Sequence, residues 1–239
     1  MSTINSSNVC NVRNTECFSA DNLVKLQQIM YETKVASGSH LFWEGDTTDK
    51  LYFIKSGRVK ITKSSDEGRQ FILYMYQEGD MFGQVDPFRK SFHVFNAEII
   101  EDSVVGVILQ KDLEVLLWQN GDLAVEFMKW MGLIHRMTQT KFRDLMMFGK
   151  HGALCSLLIR LANTYGIEQV NHICISKVHT NTELADMIGA TRESVNRMLS
   201  ELRKANAIKI ENGHIIVEDL QYLRDICHCE NCPKDICRM

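Results

Sequence analysis

The chain has 239 residues, 45% of them hydrophobic and 24% charged, and carries a net charge of −3. That balance excludes a disordered or fibrous chain and fits one large or two modest globular domains. A net negative charge gives no global attraction to nucleic acid, so any DNA contact must come from a local concentration of Arg and Lys. Between Met1 and Cys17 there is neither the basic start nor the apolar run of a signal peptide. Since no stretch approaches the ~18 apolar residues of a membrane span, a cytoplasmic protein without membrane contact is expected. There, clustered cysteines are better read as metal ligands or redox sensors than as disulfides.

Residues 1–20 are low in pattern, and their Cys10 and Cys17 read as spare or redox-reactive thiols. Over 21–110 short runs such as Leu51 to Ile54, Val59 to Ile61 and Phe71 to Tyr76 are rich in β-branched and aromatic residues. Ser56-Gly57, Asp66 to Gly68 and Glu78 to Asp80 punctuate them as turns. Spacing of this kind predicts an antiparallel roll or barrel rather than βαβ units.

Glu44-Gly45-Asp46, Leu51 through Gly57 and Glu78 through Gly83 resemble the cyclic-nucleotide-binding β-roll of the catabolite activator and fumarate-nitrate regulator (Crp/Fnr) family. The resemblance implies a phosphate cassette after Gly83, and there the chain departs from the pattern. Gln84 stands where nucleotide-binding relatives carry a Glu, and Phe95-Asn96-Ala97 where they carry Arg-Ser-Ala. Without the arginine a buried phosphate lacks its bidentate partner, so no cyclic nucleotide is expected.

Over 111–150 the period changes. Leu123, Phe127, Trp130, Ile134, Met137, Lys141, Asp144 and Phe148 fall alternately three and four apart, the stripe of a long helix. The stripe suits pairing with a second copy or packing against the roll, and Met131, Leu133 and Leu145 offer a second apolar face. In the family this helix is the interface of a homodimer, matching palindromic DNA sites. Asp144, beside Arg143, has the character of a solvated surface group when spacing alone is considered.

Residues 151–220 read as a winged helix-turn-helix. Thr180 and Glu183 have capping-box spacing, Gly189 suits the tight turn, and Thr191 is a candidate cap for the second helix. Val195, Met198, Leu199 and Leu202 form a buried face, which leaves Arg192, Glu193, Asn196 and Arg197 toward double-stranded DNA and Arg203 and Lys204 for phosphates. Thr191 through Arg197 resembles the family's recognition helix, in the form that implies TGTGA-like half-sites in an inverted repeat. Ile208 to Ile210 and His214 to Val217 flank Asn212-Gly213, a type I′ hairpin signal.

The extension 221–239 holds four of the eight cysteines, Cys227, Cys229, Cys232 and Cys237. The Cys229, Cys232, Cys237 spacing admits a cubane cluster. Zinc stands level with it on spacing alone, through all four thiolates or with His228 or His214 in a mixed site. Cys155 and Cys174 sit among Leu, Ile and Val and read as small buried hydrophobes. The run Cys229 through Cys237, with Glu126 to Met131 and Arg192 to Met198, resembles the Bacillus-type Fnr branch of the family. That resemblance implies an oxygen-labile 4Fe-4S cluster held by Cys229, Cys232, Cys237 and the Asp144 carboxylate. A hard carboxylate is a weak iron ligand, which implies a labile corner.

The expected fold class is thus α+β: an N-terminal cyclic-nucleotide-binding-like β-roll, a long dimerisation helix, and a C-terminal winged helix-turn-helix domain with a Cys-rich tail. The expected function is an oxygen-responsive regulator of anaerobic metabolism, not an enzyme, with RNA polymerase as a further partner. Joining the tail to Asp144 is expected to clamp the winged domain against the helix and order the recognition helices; cluster loss frees the tail. The rival expectations are a cyclic-nucleotide-responsive regulator with a zinc tail, and an iron-sulfur enzyme or electron carrier, although no acid-base pair surrounds a substrate pocket.

Overall fold

A computed structural model describes residues 12–85 and 91–239, so Cys10 lies outside the described residues. The chain forms two compact units, Arg13–His135 and Arg136–Met239.

The first unit opens with α1 (Ala20–Gln28), capped by Ser19, a helix at the start of the 21–110 stretch expected to form the roll. Just before it, the Asn14 amide joins the roll: its Nδ2 donates to the Met81 carbonyl at 2.8 Å and its Oδ1 accepts from Met81 N at 2.8 Å. A single buried Asn satisfying backbone groups leaves no periodic trace, which is why the sequence reads as unstructured here.

The strands are β1 (Tyr31–Val35), β2 (His40–Phe42), β3 (Asp49–Ser64), β4 (Gln70–Gln77), β5 (Met81–Val85) and β6 (Asn96–Leu109). They pair antiparallel in the order β1-β6-β3-β4, with β2 on β6 and β5 on β3. The β3/β6 register runs from Lys50↔Leu109 to Thr62↔Asn96 and shifts between Ile54 and Val59. Such irregularities bend long strands, so one pair serves both sides of a roll. Gly57 sits within this bend at φ +94, where a Cβ would lie 2.1 Å from Ser103 Oγ.

Inside, an aromatic row links Phe42, Tyr52, Phe82 and Tyr76 at centroid separations of 5.0 to 5.5 Å. Leu51, Phe53, Met81, Ile108 and Leu113 meet Leu123, Phe127 and Trp130 in one core.

The stretch expected as one helix over 111–150 is α2 (Gln110–Gln119), broken at Asn120, and α3 (Gly121–Met147). Its apolar stripe packs within the chain itself: Leu123, Phe127 and Trp130 join the roll's core, and Met137 and Asp144 are buried farther along. The apolar residues of α3 left exposed are Val125, Met128, Met131, Phe142, Met146 and Met147, whereas Leu133 and Leu145 are half-buried.

The second unit continues with α4 (Gly149–Tyr165), β7 (Gly166–Glu168), β8 (Ile173–Ile175), α5 (Asn181–Ile188), α6 (Arg192–Lys204), β9 (Ile208–Glu211), β10 (His214–Val217) and α7 (Leu220–Ile226). Its antiparallel sheet runs β7-β8-β10-β9, two strands more than the hairpin legible in the sequence. Almost all of α4 from Gly152 to Ala162 is buried, so it is the central helix, and α7 packs against it. The Cys-rich extension therefore begins with an ordered helix. Among the described residues no helix is long and apolar enough to cross a membrane.

Candidate DNA interface and cysteine cluster

Local chemistry sets the recognition helix. Thr180 Oγ1 accepts from Glu183 N at 3.1 Å while Thr180 N donates to Glu183 Oε2 at 2.8 Å, the reciprocal capping box expected for α5. Gly189 ends that helix at φ +59, a left-handed conformation that suits glycine. Thr191 Oγ1 then accepts from Ser194 N at 3.2 Å and starts α6.

Along α6, Val195, Met198, Leu199 and Leu202 are buried. Arg192, Glu193, Asn196, Arg197, Arg203 and Lys204 are all exposed, as the sequence predicts. Asn196 is braced from the first helix, its Oδ1 accepting from Asn181 Nδ2 at 3.4 Å. Asn212 and Gly213 take φ of 50 and 83, the left-handed pair of a type I′ turn.

The tail is held more firmly than a free extension. Asn163 Nδ2 donates to the Cys237 carbonyl at 2.7 Å, Met239 N donates to Thr164 Oγ1 at 3.0 Å, and Arg160 Nη1 donates to the Ile236 carbonyl at 3.3 Å. Arg143 pairs with Glu230, and Lys234 with Glu168 at 3.1 Å. Ile236, Cys237, Arg238 and Met239 are buried as a result. Contacts with Arg160, Asn163 and Thr164 thus tie the last residues of the tail to α4, which the sequence alone does not suggest.

Asp144 is 4% exposed and fully engaged, not a solvated surface group. Its Oδ1 accepts from Arg143 Nε at 3.1 Å and Nη2 at 2.8 Å; its Oδ2 accepts from Arg160 Nη2 at 2.7 Å and from the Ser156 hydroxyl. Sequence reasoning missed Arg160, Ser156, Asn163 and Thr164. The available signal was Arg160 itself, a charge within the apolar run Leu157 to Leu161, which must find a partner when buried.

The cysteines share one electrostatic neighbourhood with Asp144. Burial pushes the Cys237 thiol up, Arg160 pulls it down, and Cys229, Cys232 and Asp144 each raise it. Cys227 is pushed up to about 12, mainly by burial, with Cys229, Asp144 and Cys237 adding. Cys229 Sγ accepts from Asn231 N at 3.4 Å. Cys229 and Cys232 are half-buried.

Among the described residues no three His, Cys, Asp or Glu side chains converge tightly enough to hold a single metal ion. A closed zinc site needs that convergence. A cubane would take one donor at each of its irons and so would not need that convergence; three thiols and a carboxylate are a donor set chemically suited to it. Of the two histidines considered for zinc, His214 has Nδ1 3.1 Å from the Ile175 carbonyl and His228 lies tilted against Phe148, with ring centroids 5.4 Å apart.

Cys155 is fully buried with its thiol raised to about 12 by burial, in keeping with a packing role. Cys174 is only half-buried on β8, and Cys17 is half-buried beside the Asn14 carbonyl.

Comparison with known proteins agrees with this architecture. Residues 32–120 match a cyclic nucleotide-binding domain and 152–226 a Crp-like helix-turn-helix domain. The chain is 42% identical over 227 residues to the anaerobic regulatory protein of Bacillus subtilis, covering 94% of this chain and 95% of that one. It is 27% identical over 187 residues to a CRP-like cAMP-activated global transcriptional regulator of Mycobacterium tuberculosis, covering 78% and 83%. Among solved structures, a CooA variant from Carboxydothermus hydrogenoformans has a TM-score of 0.72 at 18% identity, covering 90% of this chain and 100% of that one. FixK2 from Bradyrhizobium japonicum has a TM-score of 0.70 at 19% identity, covering 83% and 97%. At these identities the structural likeness shows the fold alone; the sequence relative at 42% and the two domain matches carry the assignment. The chain belongs to the Crp/Fnr family of DNA-binding transcription regulators and is not an enzyme.

Proposed function

We propose that this chain is an oxygen-responsive regulator of anaerobic metabolism whose DNA binding is governed by a 4Fe-4S cluster on Cys229, Cys232, Cys237 and Asp144. The observation that carries the reading is geometric: Arg160 holds the buried Asp144 carboxylate through Nη2 and the Ile236 carbonyl next to Cys237 through Nη1, within the unit that bears the recognition helix. The 42% identity to a relative named an anaerobic regulatory protein supports the physiological setting. When bound, such a cluster supplies an oxygen-labile centre.

The chain's own residues do the rest. Burial raises the Cys237 thiol and the neighbouring Arg160 guanidinium opposes that rise, while Arg160 Nη1 also holds the adjacent Ile236 carbonyl. Cys229 accepts an N–H from Asn231. Arg192 and Arg197 donate to guanine edges and Glu193 accepts from cytosine, giving a TGTGA-like half-site, while Arg203 and Lys204 hold phosphates. A homodimer on an inverted repeat places two such helices about one DNA turn apart. The exposed apolar residues of α3, Val125, Met128, Met131, Phe142 and Met146, supply a face for that pairing. RNA polymerase is the partner through which bound dimers act.

The roll serves as a scaffold without cyclic nucleotide. In support, the Asn96 Oδ1 is occupied by Glu44 N at 2.8 Å, and Ala97 is fully buried.

The test is anoxic purification, a visible spectrum, iron and zinc counts, and binding to an inverted TGTGA repeat before and after air. About four irons per chain, a coloured protein and operator binding weakened by air are expected. An iron-free preparation that grips the operator fully overturns the reading, and a colourless, air-indifferent zinc protein replaces it with the structural-zinc alternative.

A further inference from the structure

An ionised carboxylate offers about four lone-pair sites. Those of Asp144 are filled: two by Arg143, one by Arg160 and one by Ser156. To bind iron, Asp144 must release a donor. The donors differ in how easily they are replaced. Arg143 is 24% exposed and also pairs with Glu230, so water can stand in for its contact. Arg160 and Asp144 are each 5% exposed, so neither finds solvent when the pair opens. Arg160 also reaches the tail, because Nη2 holds Asp144 while Nη1 holds the Ile236 carbonyl, next to Cys237.

We propose that Arg160, assisted by Ser156, is a positioning pair that competes with iron for the Asp144 carboxylate. Asp144 thereby exchanges between the metal and the guanidinium. The inference rests on the cluster reading above. It gives the weak fourth ligand a resident alternative partner, one that simultaneously grips the arm carrying Cys237. Lability of the carboxylate corner then depends on these neighbours as well as on the hardness of oxygen as an iron ligand. A purely structural role for the pair predicts the opposite sign: weakening it should loosen the site and speed metal loss.

The experiment uses the full chain reconstituted anoxically with ferrous iron and sulfide. Ser156→Ala removes one donor to Asp144 without changing charge. Arg160→Lys keeps the positive charge but not the fork that spans Asp144 and Ile236. Loss of visible absorbance after adding an iron chelator should slow on the order of tenfold in Ser156→Ala, the worth of one hydrogen bond to a charged group. Arg160→Lys should move the same way. After iron has been stripped, trypsin should release the segment beyond Lys234 faster from Arg160→Lys than from wild type, since the Ile236 grip is lost. Iron uptake followed by unchanged or faster loss in Ser156→Ala overturns the exchange alone. Failure of the wild-type chain to take up iron overturns the cluster reading and the exchange with it, and the tryptic comparison then reads only the Arg160 grip on the tail.

Discussion

Removing the Asp144 carboxylate should destabilise the Arg136–Met239 unit far more than a typical surface substitution. In Asp144→Ala, Arg160 keeps its charge at 5% exposure with its carboxylate partner gone. Breaking a buried pair from one side costs about 3–5 kcal/mol, because the remaining ion is desolvated without compensation. The contact with Arg143, 24% exposed, adds little, since water and Glu230 replace it. For a domain of roughly a hundred residues each kcal/mol lowers Tm by about 4 °C or more, so a fall of roughly 12–20 °C is expected. Calorimetry or far-ultraviolet circular dichroism of the chelator-treated full chain reads this. All three tryptophans, Trp43, Trp118 and Trp130, lie in the Arg13–His135 unit, so their fluorescence melt is an internal control that should barely move. A Tm within ~2 °C of wild type for the Arg136–Met239 transition would refute the buried pair, given that scaling. So would an equal shift in the tryptophan signal.

Arg197→Ala should weaken binding to the inverted repeat by about 1–3 kcal/mol and relax preference at one base of each half-site; equal losses on unrelated DNA in a binding titration would reduce Arg197 to a phosphate contact. Thr180→Ala removes one half of the capping box and should cost about 1 kcal/mol in denaturant unfolding, whereas Thr180→Ser should restore most of it. His93 is 4% exposed and stacked on Phe42 at 3.6 Å, and burial lowers its pKa below the ordinary 6.5. Because the folded state disfavours the charged ring, stability of the roll is intact above pH 6.5 and is lost as pH falls through the depressed value. Melts of wild type and His93→Phe across that range should diverge on the acid side, and parallel curves would show that His93 titrates normally.

Much of the DNA-reading module is legible in the chain because its determinants are local. A capping box needs residues three apart, a left-handed turn needs Gly189, and an amphipathic helix needs its own period. Each survives without knowledge of distant partners. The β-roll is legible at the level of turns and strands, but not the Asn14 anchor or the shifted β3/β6 register, which arise from pairings across 67 and up to 59 positions of the chain.

The Asp144 neighbourhood marks the limit. Sequence alone determined which thiols are clustered, that Arg192, Glu193, Asn196 and Arg197 share the outer face of α6, and that Asn212-Gly213 turns a hairpin. Only the tertiary structure decided that the α3 stripe is spent on the chain's own core, that α4 pins the tail, and that Asp144 is shared between two arginines and a serine. The reason is physical. Periodicity records which face of an element is apolar, but the partner of a buried charge is set by long-range packing, and no local spacing encodes which guanidinium will arrive.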